Sequence, residues 1–200
     1  MRFTTNYLYL IILLFSIAIM GCNSDEDDSI NAQEETPKEE IPKELVTNVD
    51  GFTTTDTSVE LPETSFGNET DCKQAEDDVF NAEFLKLVNA HRESIGVGKL
   101  TQNVIANYLA FKHTKYMICT KDFDHTNFSE TGEILRKTVK SGGAAENIIA
   151  GYNTPQKMLD GWLSSPGHKT NIENSNYTFT GFSTIKKPQG GYWATQIFYN

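Results

Sequence analysis

The sequence predicts an α+β domain of layered type, preceded by an export leader and an acidic tether. Three observations carry that prediction. Two segments, Asp78 to Ser94 and Thr101 to Met117, repeat apolar residues at helical spacing. Two later runs, Tyr177 to Lys186 and Tyr192 to Tyr199, are rich in Thr, Ile, Phe and Tyr. Pro188-Gln189-Gly190-Gly191 joins these two runs as a hairpin signal. Helices gathered first and a hairpin last fit stacked layers around one core.

The leader comes first. Arg2 gives a small basic region, and Tyr7 to Met20 is an apolar run of 14 residues. That is shorter than the roughly 20 residues of a comfortable bilayer span. The run ends in Ile19-Met20-Gly21-Cys22. This resembles the bacterial lipoprotein signal, in which the cysteine is acylated and becomes the first residue. Residues 1–21 then form a signal peptide, and Cys22 is the lipidation site that holds the chain on a lipid bilayer. Several acyl chains would anchor it stably, since each buried CH₂ contributes roughly 0.8 kcal/mol. Met20 departs from the usual Ala or Ser. A simple secretory signal and an uncleaved anchor are the competing readings.

Residues 22–71 read as a tether. From Asn23 to Asp71 there are 15 acidic residues against two lysines. Such a segment cannot bury enough apolar surface to offset its chain entropy. It is expected to be disordered and extended by self-repulsion. The acidic run Asn23 to Asp28 resembles the surface-export signal of Bacteroidetes lipoproteins; an ordinary solvated linker is the alternative. The expected location is the bacterial cell envelope, on the outer membrane and its cell-surface face.

Residues 72–200 read as one domain with its own core. The whole chain carries −10, but from Cys72 onward 14 Lys and Arg face 12 Asp and Glu. The folded part is near neutral and has no basic stripe with interleaved aromatics, which excludes nucleic-acid binding as a supported function. With Cys22 assigned to lipid, Cys72 and Cys119 remain in an oxidising compartment, where a disulfide is the natural inference. It would stabilise by roughly 3–4 kcal/mol through loop closure. Two buried free thiols are the alternative.

The elements follow in order. Asp78 to Ser94 places Phe80, Phe84, Leu87, Val88 and His91 on one side, with acids in the first turn, and stops at Gly96 and Gly98. Thr101 is a cap for a second helix through Met117. A third, short helix covers about 131–140 and ends at Gly142-Gly143. Asn147 to Tyr152 is a short extended piece. Thr154-Pro155 opens a fourth helix to about Ser164, with proline at the favoured first position.

Several segments in this frame resemble the CAP superfamily of cysteine-rich secretory, antigen and pathogenesis-related proteins (SCP-like domains), in its bacterial branch. The resemblance runs through Leu87 to Arg92, Gly98 to Leu100, Phe123-Asp124-His125, Arg136 and Ala145-Glu146-Asn147-Ile148. It continues through Trp162 to Ile172 and Tyr192 to Phe198. Each piece is weak alone; their order and spacing make the match. The resemblance implies a three-layer α-β-α sandwich with a central cleft lined by two His and two Glu. His125, Glu146 and His168 carry over. The second glutamate does not, since Ser165 stands at its position, and Ala145 replaces the usual glycine before Glu146.

Two neutral imidazoles and a carboxylate could hold Zn²⁺ and leave a place for water. Asn147 could orient Glu146 or donate to a bound carbonyl. Without metal, Glu146 would raise the pKa of either histidine. The bland alternatives are a loop-capping role for His125, a hydrogen-bond hub for Glu146 and a helix-start role for His168. His91 and His113 lie on helices and read as packing or surface residues. Nucleophilic hydrolysis lacks a G-x-S-x-G elbow, an HExxH pair or a phosphate loop, and a disulfide would remove Cys119 as a nucleophile.

Two classes of function stay open. The first is a non-enzymatic binding module whose cleft takes a divalent metal, a lipid, or an envelope or host polymer. The second is a metal-dependent hydrolase of peptide or cell-wall glycan. Ser165 in place of an acid/base partner favours the first.

Overall fold

The computed structural model describes residues 47–49, 52–54, 56, 58–66 and 72–200. The leader, Cys22 and the run from Asn23 to Asp28 lie outside the described residues.

Eleven elements are described. A short antiparallel hairpin, β1 (Thr47–Val49) and β2 (Phe52–Thr54), comes first. Then follow α1 (Asp78–Ser94), β3 (Thr101–Gln102), α2 (Val104–Thr120), α3 (Phe128–Thr138) and β4 (Ala144–Tyr152). The chain closes with α4 (Pro155–Leu163), α5 (Pro166–Glu173), β5 (Phe179–Lys186) and β6 (Tyr192–Tyr199). The main sheet has the order β3-β5-β6-β4. β3 runs parallel to β5, and the β5-β6 and β6-β4 pairs are antiparallel.

Side-chain alternation on the strands sorts the helices into two layers. Ala194 and Phe198 of β6 share a cluster with Phe84 of α1, Trp162 of α4 and Ile172 of α5. Their β6 neighbours Ile197 and Tyr199 pack instead on Ala106 and Leu109 of α2 and Leu135 of α3. The fold is thus α+β, a three-layer α-β-α sandwich. With both faces covered, every residue of β6 except the half-buried Trp193 is buried, Thr195 and Gln196 included. At Gly181 of β5 an added Cβ would stand 2.0 Å from the backbone carbon of Ala106. The glycine therefore lets α2 lie directly on the sheet.

Several boundaries differ from the sequence reading: α3 starts at Phe128 and not at about 131, β4 starts at Ala144 and not at Asn147, and α2 runs on to Thr120. The helix-starting cap is Asn103, whose side chain accepts from the amides of Ile105 and Ala106; Thr101 instead belongs to β3. Asn103 wins because it precedes the first residue that can turn helical without losing the β3-β5 pairing. A fifth helix, α5, follows α4 after a break at Ser165, with Pro166 in its first turn.

The expected tether also ends earlier than residue 71. Phe52 is 2 % exposed and packs on Tyr108 and Phe111 of α2. Phe66 is fully buried with Ile105, Leu109 and Leu135. Ser65 fastens this strap to α3, its amide donating to Glu130 Oε1 at 2.7 Å and its hydroxyl to Glu130 Oε2. Composition averaged over the acidic segment hides two aromatic anchors. The expected disulfide is present: Cys72 and Cys119 are bonded, with Cα atoms 5.8 Å apart. It ties the chain just after the strap to the last turn of α2.

Candidate functional site

The site is built around β4, an edge strand of the main sheet. Strand alternation sends Glu146 toward the α2–α3 layer and Asn147 toward α5. Trp162 of α4 donates its indole N–H to the Ile148 carbonyl at 3.1 Å, which holds α4 beside the strand.

Glu146 is almost entirely buried, with its side chain 1 % exposed, and its Oε1 lies 2.7 Å from Nδ1 of His125. His125 itself is half exposed, at 52 % of its side chain. The carboxylate thus sits behind the imidazole and leaves Nε2 facing outward. This is the arrangement by which a carboxylate fixes the ring orientation and tautomer of a histidine. The hydrogen bond to Glu146 holds the His125 pKa above its ordinary value, and partial burial works against it. Oε2 of Glu146 is buried and has no hydrogen-bond partner among the described residues.

His168 approaches from the other side, in the first turn of α5, partly buried with its ring 6.3 Å from that of Trp162. Burial, and then the nearby charge of His125, push its pKa below the ordinary value. The surroundings of the two imidazoles thus shift their pKa values in opposite directions.

Asn147 does not take the role expected for it. Its Nδ2 donates to the His168 carbonyl at 3.0 Å, and its Oδ1 accepts from Asn171 Nδ2 at 2.8 Å. Being one residue from Glu146, it faces the opposite layer and fixes α5, so it orients His168 rather than Glu146. Ser165 begins α5 without a side-chain capping bond.

His113, expected on a helix as a packing or surface residue, proves to be a packing residue. It is fully buried, yet its Nε2 stands 3.7 Å from Glu146 Oε1 and 2.9 Å from the Asp124 carbonyl. Helical periodicity marks it only as an inward-facing position. Its distance of 12 residues from His125 carries no motif.

Arg92 holds the site from behind. It is 1 % exposed and donates to four carbonyls: Gly98 at 2.7 Å, Ile172 at 2.6 Å, Asn174 at 3.1 Å and Tyr177 at 2.9 Å. Two of these lie at the end of α5, where the helix dipole favours a cation. Arg92 thereby anchors the helix that carries His168.

The donor set does not fit a three-ligand zinc centre. Glu146 Oε1 is engaged by His125, and its other oxygen is buried. Among the described residues no group of three or more His, Cys, Asp or Glu is placed to hold a metal ion. What the site presents is two imidazoles. A polar groove of about 680 Å³ runs between the strap and α3 and shares Thr126 and Asn127 with the His125 loop, but neither cleft histidine lines it.

Comparison with known proteins agrees with this architecture. Residues 85–198 match the family model described as CAP, cysteine-rich secretory protein family. The chain is similar to the uncharacterized protein YkwD of Bacillus subtilis, with 29% identity over 123 residues, covering 59% of this chain and 46% of that one. It spans less than half the length of the curated relatives it matches. Among solved structures, an extracellular SCP-domain protein from Bacillus anthracis superposes with a TM-score of 0.53 at 26% identity, covering 70% of this chain and 45% of that one. An outer surface protein from Borrelia burgdorferi gives a TM-score of 0.58 at 15% identity, covering 64% of this chain and 96% of that one; it shows likeness of fold alone.

Proposed function

We propose, from the premise that the chain belongs to the CAP family of cysteine-rich secretory proteins, that it is a non-enzymatic binding module of the bacterial envelope. Its cleft, between His125 and His168, takes a polar ligand: a divalent metal held by imidazoles, a lipid head group, or an envelope or host polymer. The observation that carries this reading is the placement of Glu146. A carboxylate 1 % exposed and bonded to His125 Nδ1 serves to orient the ring and is not offered to a substrate. The alternative, a metal-dependent hydrolase, asks for a ligand triad that the described residues do not assemble.

Attachment to a bilayer through acylated Cys22 belongs to the same proposal. It is supported by the apolar run that ends at that cysteine. The extracellular description of the Bacillus anthracis SCP-domain protein also favours an envelope location.

The test is binding by the full-length chain to three probes: zinc chloride, phospholipid vesicles and purified cell-wall polymer. The wild type is compared with His125→Ala and His168→Ala. Saturable binding of at least one probe, lost in both variants while the fold is kept, is the expected result. Hydrolysis of peptide or glycan that Glu146→Gln abolishes would overturn the reading. Release of Cys22→Ser from the membrane fraction is expected; retention would remove the lipid anchor.

A further inference from the structure

We propose that His113, whose imidazole never reaches the cleft, is a positioning residue that sets the orientation of His125. The inference rests on the binding reading only in taking His125 as the cleft group.

Both ring nitrogens of His113 are engaged. Nε2 faces the Asp124 carbonyl at 2.9 Å, an acceptor, so it donates. Nδ1 faces the Asn127 Nδ2 group at 3.3 Å, a donor, so it accepts. An imidazole carrying its one proton on Nε2 satisfies both contacts; the other tautomer satisfies neither.

The two contacts bracket His125 in the chain. Between them the Thr126 amide donates to Asp124 Oδ1 at 2.9 Å, and the Phe128 amide donates to the His125 carbonyl at 3.0 Å. A single buried ring thus holds both ends of the turn that presents His125. The same Nε2 lies 3.7 Å from Glu146 Oε1, the oxygen bonded to His125 Nδ1. His113 therefore borders the loop and the carboxylate that together fix the cleft imidazole.

Asn127 gives independent support. It occupies the N-cap position of α3 yet makes no capping hydrogen bond. Asparagine is among the preferred caps. Here the side chain turns to His113 instead. The ring is seated by Phe66, edge-on at 6.3 Å, and by Tyr116, stacked at 6.0 Å. Those contacts require an aromatic ring and not a histidine; the hydrogen bonds require the histidine.

The experiment uses full-length chain labelled with ¹⁵N at histidine, near neutral pH. In the wild type, His113 is expected to show the Nε2–H tautomer, and His125 a protected Nδ1–H resonance. A charged His113, or one protonated at Nδ1 alone, would overturn the proposal without any variant. His113→Phe keeps the ring and removes both hydrogen bonds. Exchange of the His125 Nδ1 proton is expected to become roughly tenfold faster, as for loss of one hydrogen bond, with the far-UV circular dichroism unchanged. His113→Gln, which offers a donor and an acceptor, is expected to retain a protected His125 signal. An unaltered His125 resonance in His113→Phe would overturn the assignment. So would its loss in a folded His113→Gln. These readouts involve no ligand, so they stand or fall separately from the binding reading, which His125→Ala and His168→Ala test.

Discussion

Arg92 offers the sharpest quantitative test of how the scaffold holds the site. Its guanidinium is 1 % exposed, and burial lowers its pKa. Four carbonyls compensate it: those of Gly98, Ile172, Asn174 and Tyr177. Hydrogen bonds to a charged group contribute about 1.5–3 kcal/mol each, giving roughly 6–12 kcal/mol gross. Desolvation of the buried cation costs several kcal/mol and offsets much of that. Each buried carbonyl left unsatisfied costs about 1–3 kcal/mol, and relief of the cation's desolvation returns part of that, for a net loss of about 3–5 kcal/mol. Arg92→Met, which keeps the stem and removes every donor, is expected to lower the free energy of unfolding by that amount. At about 2–4 °C per kcal/mol for a chain of this size, the melting temperature should fall by roughly 6–20 °C. Arg92→Lys is expected to fall between, because a point ammonium cannot span the fork of carbonyls. Urea denaturation followed by circular dichroism gives the free energies. A loss below about 1 kcal/mol in Arg92→Met would refute the account of Arg92 as the anchor of α5.

Three further outcomes are expected. Replacing Cys72 and Cys119 together by Ser opens a loop closed over a sequence separation of 47, which should cost about 4 kcal/mol in urea unfolding; equal stability would contradict the loop-closure argument. Phe66→Ala should cost about 3–5 kcal/mol if the strap belongs to the core, and almost nothing if the segment before Cys72 is an unattached tether. The pKa values of His125 and His168 should be displaced in opposite directions from the ordinary value. His125 is raised, so its contribution to stability is full below the ordinary histidine pKa and is lost as pH climbs through the raised value. His168 is lowered, so its contribution is present above the ordinary value and is lost as pH falls through the lowered one. Proton NMR should place the His125 midpoint above the His168 midpoint, with Glu146→Gln bringing His125 down; the reverse order would contradict the geometry.

The local signals were strong where periodicity and turn chemistry act within a few residues. The span of α1, the closing strand Tyr192–Tyr199 and the proline-led start of α4 follow from such signals. The family resemblance named His125, Glu146 and His168 as candidates, and the structure sets His125 against Glu146 and the His168 backbone against Asn147. What each does there was not legible. Adjacent residues on a strand face opposite layers, so Asn147 serves α5 while Glu146 serves the His125 loop. That division depends on which helix covers which face. His113 was hidden because a buried histidine on a helix resembles any core position until the loop across from it is known. Phe52 and Phe66 were hidden for a related reason: two aromatics in an acidic segment acquire meaning from the α2 surface that receives them. Arg92 showed no partner in sequence because its partners are backbone carbonyls.

In the proposed reading Glu146 orients His125 and is not itself a ligand. Calorimetric titration of the full-length chain with zinc, wild type against Glu146→Gln, tests it most directly. The account predicts no tight zinc binding that depends on Glu146: whatever affinity the two imidazoles provide should fall by no more than about 10–100-fold in Glu146→Gln, as for loss of an orienting partner. Zinc binding at micromolar or tighter affinity that vanishes in Glu146→Gln would make the carboxylate a ligand, contradict the claim and restore the hydrolase.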